Sequence, residues 1–219
     1  MIVLLPGIQA GPPEFARLLP LLPHGTRVVA LPDSLADSLA AIAAEILANL
    51  PTEPLDFVGA SFGGLVATAM PAARVRSLLT IGTLPFSGEA SKRSGRAANL
   101  IQYLPTPVYA RLYRRRISSS LAEDGADQEL LASVRLPNRD VLAARLRAIG
   151  RWHFPPPSVP TTFAWGVTDP WVTWEKGQVE RRGYEAVLLP GGHRPHLSHP
   201  SEVAGWVRSI AEITDSSRR

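Results

Sequence analysis

A hydroxyl at Ser61, a carboxylate at Asp169 and an imidazole at His193 stand far apart in the chain, yet together they could move an acyl group. A serine hydroxyl is a poor nucleophile until a base takes its proton. Imidazole titrates near neutral pH and suits that role. A carboxylate can hold the ring in the right tautomer and stabilise the imidazolium. Ser61 lies in Gly59-Ala60-Ser61-Phe62-Gly63, a Gly-x-Ser-x-Gly pattern. Such a match arises by chance in roughly one chain in ten of this length, and alone it reads equally as a glycine-rich turn. Its weight comes from the surround. Leu55–Val58 is an apolar run fit for a buried strand, and Leu65–Met70 is rich in helix formers. A strand feeding directly into a helix needs a sharp turn, with little bulk beside its apex. Ser61 would stand clear there, and the free N–H groups of the helix would point towards charge developing beside it.

The remaining elements decide whether the three groups can meet. Met1–Leu5 reads as a buried strand ending at Pro6-Gly7, and Pro12–Leu22 as a helix with Phe15, Leu18, Leu19 and Leu22 in helical spacing. Arg27–Leu31 is a second strand. Ser34 is placed to cap a helix running to Leu50. After the strand and helix around Ser61, Val75–Ile81 is a fourth strand. This alternation, in continuous apolar strands, predicts a parallel sheet with helices on both faces. From Leu84 to Pro157 the rhythm stops. Ser91–Leu104, Val108–Ser118, Asp127–Arg135 and Asp140–Ile149 read as helices, forming an insertion over the carboxyl edge of the sheet. The core resumes with strands at Thr161–Gly166 and Glu185–Leu189, a short helix at Glu175–Arg182, and an amphipathic helix at Ser201–Ile213. The expected division is thus a core of 1–83 and 158–219 and a helical cap of 84–157. Ser61, Asp169 and His193 each follow a strand, on the one edge where parallel sheets hold their sites.

Composition narrows the classes. The chain has 219 residues, 45% hydrophobic and 19% charged, which suits one core with an insertion. It has no cysteine, hence no disulfide framework or thiol nucleophile. No run is long enough to span a membrane, and Ile2–Leu5 is too short for a signal peptide, so a cytoplasmic protein is expected. The net charge of +4 comes with no recognisable nucleic-acid module. Neither a cofactor nor a metal site is expected; His193, His196 and His199 lie close together, but no acidic residues interleave them. Arg114-Arg115-Arg116 in the insertion is consistent with a solvated helix face, and also hints at an anionic substrate.

Four motifs, in order, resemble those of the α/β-hydrolases: Leu5-Pro6-Gly7-Ile8, Gly59-Ala60-Ser61-Phe62-Gly63, Gly166-Val167-Thr168-Asp169 and Gly192-His193-Arg194-Pro195-His196. The resemblance covers nearly the whole chain and is loosest in the insertion. The family's usual first two strands have no counterpart, which leaves about six. Pro6-Gly7 stands where many members have His-Gly, and Leu31-Pro32-Asp33-Ser34 lacks a common glycine-rich run. The resemblance implies an α/β fold and a serine hydrolase, carboxylesterase-like, with Ser61 as nucleophile, His193 as base and Asp169 as orienting acid. The oxyanion would meet the N–H groups of Phe62 and, by family analogy, Ile8. The substrate would be a small ester. An acyltransferase or thioesterase using the same residues, or a non-catalytic binding module on this fold, are the alternatives; oligomeric state is not readable. His196 and His199 are rival bases whose ordinary role is to line the site or cap the last helix. His24 belongs to a surface loop and His153 to the framework. Asp33 reads as a turn residue, and Asp56 points away from the edge. Trp171 and Trp174 could wall a pocket, though aromatics so spaced are more often packing.

Overall fold

The computed structural model describes residues 1–8, 11–83, 89–133, 136–152, 158–172 and 176–216. Six parallel strands form one sheet in the order β2-β1-β3-β4-β5-β6. They are β1 (Ile2–Leu5), β2 (Arg27–Val28), β3 (Leu55–Ala60), β4 (Val75–Ile81), β5 (Thr161–Gly166) and β6 (Glu185–Leu189). The order reverses direction after β2, because β1 lies between β2 and β3.

Side chains alternate across each strand, so β1 sends residues to both faces. Val3 and Leu5 join Leu55, Phe57 and Leu78 on one face, beneath α1 (Leu39–Leu47) and α2 (Phe62–Thr68). Ile2 and Leu4 join Val58, Ala60, Leu79 and Ile81 on the other, covered by Phe15, Leu18 and α9 (Pro200–Ser216). Val203 and Val207 are the buried anchors of α9, with Trp206 and Ile210 partly buried beside them.

Between β4 and β5 run α3 (Glu89–Tyr103), α4 (Thr106–Glu123), α5 (Gln128–Ser133) and α6 (Arg139–Arg151). They have an apolar core of their own, in which Tyr109, Tyr113, Ile117 and Leu121 of α4 meet Leu142 of α6. That core reaches the sheet edge through Leu197 and Ile8. Between β5 and α9 lie α7 (Lys176–Glu180) and the one-turn α8 (Pro195–Ser198). Among the described residues, no helix is long and apolar enough to cross a membrane.

Several expectations need correction. The helix expected over Pro12–Leu22 is two short 3-10 turns, Pro12–Phe15 and Leu19–Leu21. Pro20 lacks the N–H that a continuous α-helix would use, and its ring crowds the preceding turn. The strand expected to Leu31 stops at Val28; β2 is a short, largely uncovered edge. The helix expected from Ser34 begins at Leu39 and is capped by Ser38, whose Oγ accepts from the N–H of Ala41. The helix expected at Val108–Ser118 extends over Thr106–Glu123, and α8 was not foreseen. The end of the expected cap, 153–157, lies outside the described residues.

Candidate active site

The turn after β3 explains itself from its glycines. A Cβ on Gly59 would lie 2.4 Å from the Cα of Gly64, and one on Gly63 would lie 2.3 Å from the carbonyl oxygen of Leu5. Only hydrogen fits at either place, so α2 presses against β3 and β1 at its first turn. Ser61 takes φ 48° and ψ −112°, the only positive φ at a non-glycine among the described residues. Such a conformation costs on the order of 1–3 kcal/mol and persists only where the surroundings enforce it. Here the N–H of Ser61 donates to the carbonyl of Ile81 at 2.7 Å, and its own carbonyl accepts from Thr83 Oγ1 at 3.0 Å.

His193 Nε2 lies 3.1 Å from Ser61 Oγ. Its Nδ1 lies 2.9 Å from Asp169 Oδ2. The other oxygen of Asp169 accepts from the backbone N–H of Trp171 at 2.7 Å and of Val172 at 3.1 Å. With its side chain fully covered, Asp169 has both oxygens engaged and one orientation. The bond from Nδ1–H to the carboxylate leaves Nε2 as the acceptor that faces the serine hydroxyl. Such a chain can draw a proton off Oγ and return it to a leaving group. The three expected groups are therefore brought together at the carboxyl edge of the sheet.

A model of the alpha/beta hydrolase family matches residues 2–206. The chain belongs to the alpha/beta hydrolase family. Solved structures agree at the level of fold. A thermophilic esterase from Thermogutta terrifontis, with malate bound, superposes with a TM-score of 0.75 at 19% identity, covering 97% of this chain and 89% of that one. The enol-lactonase from Burkholderia xenovorans LB400 gives 0.72 at 17% identity, covering 96% and 90%. The thioesterase domain from the curacin biosynthetic pathway gives 0.66 at 19%, covering 95% and 90%. No curated protein matches the chain by sequence.

The rival residues of this family member lie elsewhere. His196 is fully buried, its Nε2 is 3.2 Å from Glu14 Oε1, and its ring sits 5.1 Å from that of Phe15. His199 Nδ1 is 2.9 Å from Ser198 Oγ, immediately before α9. His24 is exposed in a turn. The exposed Asp33 stands 3.7 Å from Arg145. Asp56 is bound by Ser77 Oγ at 2.7 Å and by Arg76 at the start of β3. His153 and Trp174 lie outside the described residues. Trp171 is half exposed, and its ring meets His193 edge-on at 6.5 Å. Above it the guanidinium of Arg116, from α4, stacks 4.6 Å from the ring centre.

Phe62 is the first residue of α2, where a backbone N–H has no partner within the helix. Gly7 and Ile8 follow β1. The N–H of Gly7 donates to Glu14 Oε2 at 2.7 Å, and the carbonyl of Ile8 accepts from Arg145 Nη1 at 3.0 Å. Glu14 was not singled out from sequence. The signal was there: one carboxylate inside an otherwise apolar stretch, Pro12-Pro13-Glu14-Phe15. Burial works to raise its pKa, but the hydrogen bond and charge of His196, the charge of Arg194 and the Gly7 N–H outweigh it and hold it below the ordinary value. Burial lowers the pKa of Arg145, against the opposing pull of Asp33. Among the described residues no group of three or more His, Asp or Glu is arranged to hold a metal ion.

Proposed function

We propose that the protein is a serine hydrolase that cleaves small carboxylic esters through an acyl-enzyme on Ser61. The observation that carries this reading is the single imidazole of His193 within hydrogen-bond reach of both Ser61 Oγ and Asp169 Oδ2. The strained backbone of Ser61 supports it, because strain of this kind collects where a side chain must be presented to a ligand. His193 takes the proton of Ser61 as Oγ attacks the ester carbonyl, while Asp169 holds the imidazolium. The oxyanion is met by the N–H groups of Phe62 and Ile8, each such donor being worth about a hundred- to a thousandfold in rate. Collapse expels the alcohol, which takes the proton from His193. Water, deprotonated by the same ring, then attacks the acyl group, and the acid leaves Ser61 free again. Residues 84–157 serve as a cap over the site, and 1–83 with 158–219 as the core.

The half-exposed Trp171 with Arg116 stacked upon it, beside His193, favours an ester carrying a negative charge near its scissile bond. A thioester is the second substrate class, since the same residues serve it and a thioesterase domain shares the fold. Changing Ser61 to Ala is expected to abolish hydrolysis of p-nitrophenyl esters, and a fluorophosphonate should label Ser61 of the parent, read by mass spectrometry. Hydrolysis at the parent rate in Ser61→Ala would take the nucleophile's role from Ser61, and a parent that neither hydrolyses esters nor takes label would favour a binding module. Parallel assays with p-nitrophenyl esters and acyl thioesters separate the two substrate classes.

A further inference from the structure

The turn that carries Ile8 is gripped on both sides by buried charge. On one side the N–H of Gly7 donates to Glu14 Oε2 at 2.7 Å. On the other the carbonyl of Ile8 accepts from Arg145 Nη1 at 3.0 Å. Glu14 is 1% exposed and Arg145 6%. Between those two anchored peptides lies a third, and it is the one whose N–H belongs to Ile8. The turn also adjoins Ser61: a Cβ built on Gly7 would lie 3.7 Å from the Cβ of Ser61 and 3.5 Å from each oxygen of Glu14.

We infer that Glu14 and Arg145 are positioning residues that fix the Ile8 N–H towards the oxyanion, the inference resting on the serine hydrolase reading above. A loop peptide rotates readily about its flanking torsions. An oxyanion donor is useful only if its direction is set before charge develops. Holding the preceding N–H and the following carbonyl removes that freedom from both ends. Apolar packing would stabilise the loop at least as well, because buried charges must be desolvated. Two charged side chains aimed at the backbone atoms flanking one peptide therefore point to orientation rather than to stability.

The charges are covered in a way that fits this role. Glu14 Oε1 faces His196 Nε2 at 3.2 Å and Arg194 Nε at 3.5 Å. Arg194 in turn binds Asp124 Oδ2 at 2.6 Å, and its backbone N–H donates to Asp124 Oδ1 at 3.2 Å. Left bare, a carboxylate near a developing oxyanion would oppose it. Covered by Arg194 and His196, Glu14 acts on the loop as an acceptor. Arg145 also donates to the carbonyl of Pro32 at 3.1 Å, which fixes its fork between two loops. Asp124 caps the C-terminus of α4 and Arg145 lies on α6, so both grips are anchored in the helices between β4 and β5.

The test compares the parent with Glu14→Ala, Glu14→Gln and Arg145→Lys on p-nitrophenyl acetate, each rate divided by active sites titrated with a fluorophosphonate. A trifluoromethyl ketone is measured alongside, because its adduct with serine carries a negative oxygen in place of the ester's. Glu14→Ala should lower kcat per site about ten- to a hundredfold, weaken the ketone by a similar factor and change KM less than about threefold. Glu14→Gln keeps an oxygen for the Gly7 N–H but turns an NH2 towards Arg194, and should regain part of the loss. Should Glu14→Ala not fold, Arg145→Lys carries the same test, since an ammonium cannot span both carbonyls; its kcat per site should fall about fivefold or more. A kcat per site and ketone affinity equal to the parent's in a folded variant, with only the melting temperature lowered, would overturn the inference. A parent that neither cleaves esters nor takes label at Ser61 instead fails the hydrolase reading itself, before any variant is made.

Discussion

Gly82 and His193 are in contact so close that no larger residue fits between them. Gly82 follows β4 at φ 57°, and a Cβ there would lie 2.4 Å from the carbonyl oxygen of His193 and 3.2 Å from its ring atoms Cε1 and Nδ1. Alanine would meet two penalties, the left-handed backbone and the overlap with His193. The histidine loop would have to shift, and a displacement of about 1 Å at a reacting group can cost about a hundredfold in rate. Gly82→Ala is therefore expected to lower kcat/KM for a p-nitrophenyl ester at least tenfold and to destabilise the fold by about 2 kcal/mol. Steady-state kinetics beside a urea titration check both; a variant with parent kinetics would show that the contact does not set the ring.

The strain at Ser61 can be separated from its chemistry. Glycine accepts φ 48° and ψ −112° without the clash that a Cβ brings, whereas alanine retains the clash. Both Ser61→Ala and Ser61→Gly should lose ester hydrolysis. Only Ser61→Gly should match or exceed the parent in melting temperature, with Ser61→Ala below it. Equal melting temperatures for the two variants would mean that the elbow stores no strain.

Alkaline pH should loosen the fold through its tyrosines. Burial pushes Tyr109 and Tyr184 up to about 12 from the ordinary 10.0, and raises Tyr113 further, with the charge of Tyr109 adding to it. A folded-state pKa above the unfolded one means stability fully present below pH 10 and lost as pH rises towards the folded values. Tyr109 and Tyr113 face one another at 5.8 Å in α4, so the helices between β4 and β5 should loosen first. Ultraviolet titration of tyrosinate, with urea midpoints from pH 9 to 11, reads both effects. Midpoints that hold steady or rise over that range would contradict it.

How much of the fold is legible in the sequence depends on where the forces lie. β1 and β3 were legible as largely apolar runs because strands buried on both faces are apolar on both. The three groups at the strand ends followed from the same logic. The start of α1 did not. Asp33-Ser34-Leu35 and Asp37-Ser38-Leu39 offer two equivalent caps, and packing chose between them: Leu39 is 5% exposed and Leu35 67%. Glu14 was hidden for a different reason. Its partner His196 is 182 positions away, and nothing in the spacing of either announces the other.

The Arg116 contact yields an electrostatic test. Its guanidinium is exposed, so attraction to a substrate charge should be modest and sensitive to salt. Paired p-nitrophenyl esters of a neutral and an ω-carboxylate acyl chain of equal length isolate the charge. The parent should prefer the anionic ester at low salt, and raising ionic strength from about 0.01 M to about 1 M should erase most of that preference. Arg116→Ala should lose about three- to tenfold on the anionic ester and little on the neutral one. A preference unmoved by both salt and substitution would assign the discrimination to another part of the site.

Asp169 offers the sharpest separation of geometry from chemistry. Its Oδ1 accepts two backbone N–H groups, from Trp171 and Val172, and only Oδ2 faces His193. In Asp169→Asn the amide oxygen must take the Oδ1 place, because an NH2 there would point its hydrogens at two donors. The NH2 is then forced opposite His193 Nδ1. Nδ1 becomes the acceptor, and the ring proton moves to Nε2, where it faces Ser61 instead of a lone pair. With the wrong tautomer in an unchanged frame, kcat should fall by about 10⁴, the melting temperature should hold within about 2 °C, and fluorophosphonate labelling of Ser61 should slow in step with kcat. Parent-like rates in a folded Asp169→Asn would remove the carboxylate from the mechanism and leave His193 and Ser61 to act without it.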